Sequence, residues 1–248
     1  MIVDALVVAG ENRFRAGGLT LAELAAAAIA AGIDALVAAP GRPFDYHLGP
    51  ANDALVEAAS SVDMPVARLG RVDPLDGERA APEAERCLDE LGCVGLFLHP
   101  GEEVFPVRLA SPIVSIAAAR DVPVVVAAGA YSLSEPLQLF DFARAHPDVN
   151  IVMTSGGQLN ISGLGMIDAW LAMQRAPNLH VMTDGVYRQD FIERLARDLD
   201  PHRLIAGSFA PYFELGYERR RVVNASLAPA ARALVEGGNA QRLFALPD

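Results

Sequence analysis

The sequence contains no lysine, so all 20 of its basic residues are arginine. Chemistry that depends on an amine side chain is therefore excluded, namely Schiff-base catalysis, a metal pair bridged by a carbamylated lysine, and a P-loop with its phosphate-binding lysine. Basic charge is also scarce overall, because 31 acidic residues give a net charge of −11 at pH 7. A chain of this charge repels the phosphates of nucleic acids and anionic lipids, and we expect neither as a partner.

Cysteine is equally rare, since Cys87 and Cys93 are the only two in the chain. They do not form the closely spaced ligand pairs of a zinc site, and we expect buried free thiols in a reducing cytoplasm. The chain lacks a basic segment with a cleavage site at its start, and no apolar run reaches the ~20 residues of a membrane span. The sequence therefore predicts a soluble, cytoplasmic protein.

Hydrophobic residues, by contrast, make up 52% of the 248 residues, enough for the core of a single domain over residues 1–248. Short apolar runs alternate with helical patterns, as is typical of β-α units around a parallel sheet buried on both faces. Eight runs are predicted as strands: Ile2–Val8, Ala35–Ala39, Val66–Leu69, Val94–Leu98, Pro123–Ala127, Asn150–Thr154, His180–Thr183 and Leu204–Gly207.

A helical pattern follows each predicted strand. In the first, Thr20 can cap the N-terminus, Glu23 completes a capping box and Gly32 can end the helix. Eight β-α units without a glycine-rich dinucleotide-binding turn favour a closed (β/α)8 TIM barrel over an open doubly wound sheet. The predicted helices are Leu21–Ala31, Asn52–Ser60, Pro82–Leu91, Pro112–Arg120, Leu137–Ala145, Leu164–Arg175, Asp190–Asp198 and Tyr217–Val235.

Six short motifs carry a resemblance to a known family. They are IVDA at 2–5, RVDP at 71–74, GLFLHP at 95–100, PVVV at 123–126, RLIAGS at 203–208 and GNAQRLF at 238–244. In this order and spacing the chain resembles the amidohydrolase-2 family, the branch of the amidohydrolase superfamily that includes the relatives of aminocarboxymuconate-semialdehyde decarboxylase. The resemblance spans essentially the whole chain and implies an amidohydrolase-like TIM barrel.

The resemblance also locates the family's divalent-metal ligands, which are a His-x-His pair on strand one, a histidine on each of strands five and six, and an aspartate after strand eight. The corresponding positions hold Ala5, Val7, Ala127, Ser155 and Phe209. A catalytic cation needs about three ligands of the histidine, carboxylate or thiolate type, and none of these five residues is one. We therefore expect a degenerate member of the family, with no metal and no other cofactor.

Other side chains at the C-terminal ends of the strands, where TIM-barrel sites lie, are candidates for chemistry. His99, after strand four, is the best candidate for an acid or base, and a hydrogen-bonded turn residue is the alternative. Asp184 or Tyr212 would be its catalytic partner. Arg13 or Arg71 would clamp a substrate carboxylate through paired hydrogen bonds.

Two former ligand positions, Ser155 and Phe209, are predicted to contact a bound substrate, as Gln158 beyond strand six could. Ser155 has no evident histidine–acid pair, so the sequence does not predict serine-hydrolase chemistry. Salt bridges to Glu11 or Asp73 are the alternative role of the two arginines. Asp73 is expected to cap a loop.

Two functions from different classes remain open. The first is a non-catalytic barrel, a pseudoenzyme that binds a small molecule, forms a homo-oligomer or associates with a related active subunit. The second is a metal-independent hydrolase, lyase or decarboxylase that acts on a small carboxylated or cyclic substrate at the barrel mouth. The fold alone does not decide between them, because TIM barrels host many chemistries.

Overall fold

Eight parallel strands form one sheet in sequence order in the computed structural model, which describes residues 1–14, 18–157 and 164–247. All eight predicted strands are present, with ends that differ by at most two residues. The strands are Val3–Ala9 (β1), Ala35–Pro40 (β2), Val66–Arg71 (β3), Gly95–Leu98 (β4), Val124–Val126 (β5), Ile151–Met153 (β6), Leu179–Met182 (β7) and Leu204–Ile205 (β8).

The segment that directly follows the last strand bonds to the first strand, which closes the sheet into a barrel. The amide of Ala5 donates to the carbonyl of Ala206 at 3.0 Å, and that of Val8 donates to the carbonyl of Ala210 at 2.7 Å. The buried carboxyl of Asp4 also accepts backbone hydrogen bonds at this seam. The (β/α)8 TIM barrel predicted from the sequence is confirmed.

Helices alternate with the strands around the barrel. In the described part of the chain, none is long and apolar enough to cross a membrane. The α-helices are Leu21–Ala30 (α1), Leu48–Ser60 (α2), Ala80–Asp89 (α3), Pro100–Glu103 (α4), Ser111–Ala118 (α5), Pro136–Ala145 (α6), Leu164–Arg175 (α7), Gln189–Arg194 (α8), Leu215–Asn224 (α9), Pro229–Ala233 (α10) and Asn239–Leu243 (α11). Short 3-10 turns lie at Gly77–Arg79, Val107–Ala110, Ser155–Gly157 and Pro201–Arg203, and π-helical turns at Leu195–Leu199 and Leu234–Gly238.

The start of α1 has the predicted capping box. The Thr20 hydroxyl accepts from the amide of Glu23, whose carboxylate accepts from the amide of Thr20. After the helix, Gly32 adopts a positive φ of 71°, which costs a glycine no steric strain.

The prediction of one continuous helix over Tyr217–Val235 is wrong. Helix α9 ends at Asn224, the backbone is extended at Ala225 and Ala228, and α10 begins at Pro229. Proline has no amide hydrogen and disfavours helical backbone in the residue before it, so the helix cannot run through this point. Pro229 is instead well suited to the first turn of a new helix.

A bulge in β1 changes which side chains face the barrel interior. Asp4 pairs with Leu36 and Val7 with Ala38, so two residues of β1 stand opposite one residue of β2. As a result the Val7 side chain points away from the barrel interior and packs in the cluster formed with the side chains of α1. The expectation that Val7 replaces a metal ligand inside the barrel is therefore wrong, whereas Ala5 does lie in the interior cluster, together with Leu6 and Val8.

Candidate functional site

The guanidinium of Arg71, the last residue of β3, lies at the C-terminal mouth of the barrel and is fully buried. Its Nη2 donates to Glu102 Oε2 at 2.5 Å and to Glu103 Oε1 at 2.7 Å. Its Nε donates to the same oxygen of Glu103 at 3.1 Å, and Nη1 donates to the carbonyl of Pro40. Burial would lower the pKa of Arg71, but the charges of Glu103 and Glu102 raise it, so the side chain stays cationic.

A second buried arginine balances the charge. Arg42, after β2, donates from Nη1 to Glu103 Oε1 at 2.6 Å. Two guanidinium groups therefore face two carboxylates in a region that excludes most water, and Asp73 Oδ2 lies at its edge, 3.8 Å from Arg42 Nη1. Within the described residues, Glu103 Oε2 and Arg42 Nε lack hydrogen-bond partners. We call the group formed with three neighbours the mouth network: Asn12, Arg42, Arg71, His99, Glu102, Glu103 and Tyr212.

His99 combines a structural contact with a position beside Glu102. Its Nδ1 accepts from the amide of Glu102 at 3.2 Å, which caps the short helix α4. The proton of the neutral ring is then assigned to Nε2, which lies 3.5 Å from Glu102 Oε1. Burial lowers the pKa of His99 to about 4, so the imidazole is neutral at pH 7.

Tyr212 joins the other side of Glu102. Its hydroxyl donates to Glu102 Oε1 and accepts from Asn12 Nδ2 at 2.9 Å. Burial raises the pKa of Tyr212, and the neighbouring Glu102 charge adds to the effect. Burial alone would also raise the pKa of Glu102, but hydrogen bonds and a neighbouring positive charge lower it. Arg71 supplies this positive charge at neutral pH, because His99 is then uncharged.

Aromatic rings form the floor of the mouth. Phe209 lies 4.6 Å from the ring of Tyr212, 5.9 Å from that of His99 and 6.1 Å from that of Phe97, measured between centroids. Phe209 has a positive φ of 53°, which is unusual for an aromatic residue and holds its ring inward over the interior cluster. The predicted partner Tyr212 and the predicted contact residue Phe209 thus lie together with His99.

Asp184 and Ser155 form a separate pair. Asp184 Oδ2 accepts from both the amide and the hydroxyl of Ser155, each at 2.8 Å. Burial raises the pKa of Asp184 to about 7, and its Oδ1 finds no partner in the described parts of the chain. The hydrogen bonds of Asp184 therefore go to Ser155, whereas those around His99 involve Glu102.

Two of the remaining candidates, Arg13 and Asp73, do not belong to the mouth network. Arg13 is exposed, with its guanidinium over the ring of Tyr46 at 4.5 Å. Asp73 accepts from the amide of Leu75 at 2.9 Å, which confirms its role as a loop cap. Gln158 lies outside the described residues.

Sequence reasoning missed Arg42, Glu102 and Glu103. The partners of Arg71 are these two glutamates rather than Glu11 or Asp73. The available signal was their place one residue beyond the His-Pro step that follows β4, at the strand end where TIM-barrel sites lie.

Comparison with known proteins identifies the family. The family model described as amidohydrolase matches residues 9–246. The chain belongs to the amidohydrolase-2 family. No curated protein sequence matches it. The family assignment agrees with the resemblance carried by the sequence motifs and with the closed barrel.

Several solved structures share this amidohydrolase-2 fold. The 2,6-dihydroxybenzoate decarboxylase from Rhizobium is 17% identical, with 98% of each chain covered and a TM-score of 0.77. The 5-carboxyvanillate decarboxylase from Novosphingobium aromaticivorans, complexed with manganese and a nitrobenzoic acid, is 16% identical (99% of this chain, 96% of that chain, TM-score 0.76). An uncharacterised TIM-barrel protein from Bordetella bronchiseptica is 19% identical, with 98% of each chain covered and a TM-score of 0.79.

Among the described residues of this amidohydrolase-2 chain, the side chains at the family's strand-end positions do not match the donor set of a divalent metal. No group of three or more histidine, cysteine, aspartate or glutamate side chains is arranged to hold one in residues 1–14, 18–157 and 164–247. The interior strand-end positions carry Leu6, Val8, Ala127 and Phe209, whose side chains have no donor atoms, and the Ser155 hydroxyl already donates to Asp184. The nearby carboxylates of Glu102 and Glu103 are already bound by arginines.

Proposed function

We propose that this chain is a cytoplasmic, metal-independent member of the amidohydrolase-2 family that binds a small molecule or a protein partner without catalysing a metal-dependent reaction. The single observation that carries the proposal is the apolar lining where strand-end ligands would stand, at Leu6, Val8, Ala127 and Phe209. Such side chains are stable in a dry interior, whereas imidazoles and a carboxylate without a cation would have to be neutralised or solvated there.

The mouth network supports the same proposal. Four of the five N–H groups of Arg71 already have acceptors, and its charge is balanced by Glu102 and Glu103. A substrate carboxylate would have to displace one of these glutamates, which would leave a buried charge without its partner. Arg71 is therefore better suited to hold the mouth together than to clamp a substrate anion.

Exposed apolar side chains around the mouth support a protein partner. Four large residues on the loops after β2, β3 and β5 are about half exposed or more: Phe44, Tyr46, Leu75 and Tyr131. Exposed apolar residues grouped on one face are typical of an interaction surface. A second copy of this chain is the partner to test first, by light scattering of the purified protein and of Tyr131→Ser.

Manganese titration followed by electron paramagnetic resonance tests the proposal. The wild-type chain should leave the signal of free Mn²⁺ unchanged, and it should not decarboxylate 2,6-dihydroxybenzoate with the metal present. The combined variant Leu6→His, Val8→His, Ala127→His and Phe209→Asp restores four donors at the interior positions and serves as the positive control for binding. Stoichiometric Mn²⁺ binding by the wild type, or metal-dependent turnover, would contradict the proposal.

A second candidate function rests on His99. Its imidazole lies beside Glu102 and 5.9 Å from the ring of Tyr212 between centroids, which gathers three titratable groups for metal-independent proton transfer in lyase, decarboxylase or hydrolase chemistry. His99→Asn separates this role from helix capping, because asparagine can cap α4 but cannot transfer the proton. Turnover of a small carboxylated or cyclic substrate that is lost in His99→Asn, with unchanged unfolding, would favour this function over the first.

A further inference from the structure

A cavity of about 410 Å³ lies beside the mouth, between the C-terminal ends of β1 and β2, the first turn of α1 and one face of α2. We call it the α1–α2 cavity. Most of its wall consists of alanine, glycine, proline and leucine, including Ala9, Pro40 and Leu55. Its volume falls within the range of about 300 to 1,000 Å³ that is typical of small-molecule sites.

The sequence of α2 explains why the space is not filled. Ala51, Ala54 and Ala58 line the cavity and recur every three or four residues, so they share one face of the helix. Their side chains end at Cβ and cannot reach α1, where Leu21 contributes the facing wall. The result is an apolar slot whose walls belong to well-formed elements of the fold.

The rim of the cavity is acidic. Its charged or titratable lining residues are Glu11, Asp45 and His47, and the set contains no arginine. Glu11 is held in place by accepting from the amide of Phe44, and Asp45 by accepting from the amide of His47. The other oxygen of Asp45 lies 3.5 Å from His47 Nδ1, and both carboxylates keep further acceptor positions.

Close backbone packing fixes the position of Glu11. Gly41 lies against the loop after β1, and a Cβ added there would be 2.2 Å from the carbonyl oxygen of Glu11. The amide of Gly41 donates to the carbonyl of Ala9 at 2.8 Å. Pro40 separates the cavity from the mouth network, because it lines the cavity while its carbonyl accepts from Arg71.

We propose that the α1–α2 cavity is a second binding site, distinct from the barrel mouth, for a small molecule with an apolar ring-sized body and a protonated amine. The alanine and proline walls would contact the body, and Glu11 and Asp45 would receive the ammonium group. Net negative charge at the rim disfavours carboxylated molecules of the same shape. The proposal is independent of what occurs at the mouth.

Three probes with the same indole ring test the ligand class: tryptamine, tryptophol and indole-3-propionate. Binding is followed by the ¹³C-methyl signals of alanine, with those of Ala51 and Ala58 assigned from their glycine variants. Tryptamine should shift both signals in a saturable way and bind about tenfold or more tightly than the alcohol, which corresponds to one charge-assisted contact. The propionate should bind more weakly still.

Two variants test the location. Ala54→Trp fills the slot and should abolish the shifts, whereas Ala26→Trp, at an exposed position of α1 outside the cavity, should not.

The double change Glu11→Gln and Asp45→Asn tests the role of the rim charge. It should remove the preference for tryptamine over tryptophol, and Glu57→Gln on the exposed side of α2 should preserve that preference. Absence of methyl shifts with tryptamine, equal binding of all three probes, or binding that survives Ala54→Trp would overturn the proposal.

Discussion

Replacement of Asp184 by asparagine should make the protein more stable than the wild type by an amount that grows with pH. The carboxyl is fully buried, and burial raises its pKa from 3.8 to about 7. Hydrogen bonds from Ser155 oppose the shift, while the carboxylates of Glu218 and Asp4 increase it. Asparagine keeps an oxygen to accept the bonds from Ser155 but cannot ionise.

The size of the effect follows from proton linkage. A carboxyl with a raised pKa in the folded state stabilises that state fully below the unfolded pKa, and this contribution is lost as pH rises through the folded pKa. For Asp184 the window runs from about 4 to about 7. At about 1.4 kcal/mol per pKa unit the whole loss is about 4 kcal/mol, of which about 2 to 3 kcal/mol falls between pH 5 and pH 8.

Urea unfolding of both proteins at pH 5, 6, 7 and 8 measures the difference in free energy of unfolding. Asp190→Asn is the matched control, because the Asp190 side chain is half exposed and its hydrogen bonds with Arg188 lower its pKa. The stabilisation that ionised Asp190 provides is lost only as pH falls below the ordinary pKa of an aspartate. The difference in free energy of unfolding between Asp190→Asn and the wild type should therefore stay constant from pH 5 to pH 8. If the difference in free energy of unfolding between Asp184→Asn and the wild type is constant from pH 5 to pH 8, the conclusion that the buried Asp184 carboxyl is neutral at pH 5 is refuted.

Three further results are expected. Arg71→Met should reduce the free energy of unfolding by about 3 to 5 kcal/mol, because it leaves two buried carboxylates without their main partner; a loss below 1 kcal/mol in urea unfolding would contradict that role. Thr20→Ala should cost about 1 kcal/mol through the lost capping box with Glu23, as measured by thermal unfolding, with no loss refuting the cap. Cys87 and Cys93 are free and buried, so a thiol reagent should modify neither in the folded protein and both in denaturant; rapid modification of folded protein would contradict their burial.

The barrel could be predicted from the sequence because its strands are buried on both faces. A strand such as Val124–Val126 has helices outside and packed side chains inside, so its sequence is uniformly apolar and easily recognised. The free, buried thiols of Cys87 and Cys93 were predictable for a related reason, since nothing in their spacing indicated ligands. The prediction failed at α9, where the helical pattern was followed past Pro229.

Positions in the mouth were harder to predict, because they depend on contacts between distant segments. Strict alternation from Val3 puts Val7 on the interior face of β1, and only the bulge against β2 turns it outward. Glu102 and Glu103 read as ordinary polar loop residues until Arg71 and Arg42 are brought to them from other strands. Sequence order alone does not encode these pairings.

Native mass spectrometry of the protein, purified gently from cells grown with added manganese, tests the central claim most directly. We expect a folded chain that carries no stoichiometric divalent metal, whether it is alone, an oligomer or bound to an organic ligand or protein partner. One manganese or zinc ion per chain, retained through buffer exchange, would contradict it and would mean that donors other than the interior side chains of the strand ends form a metal site.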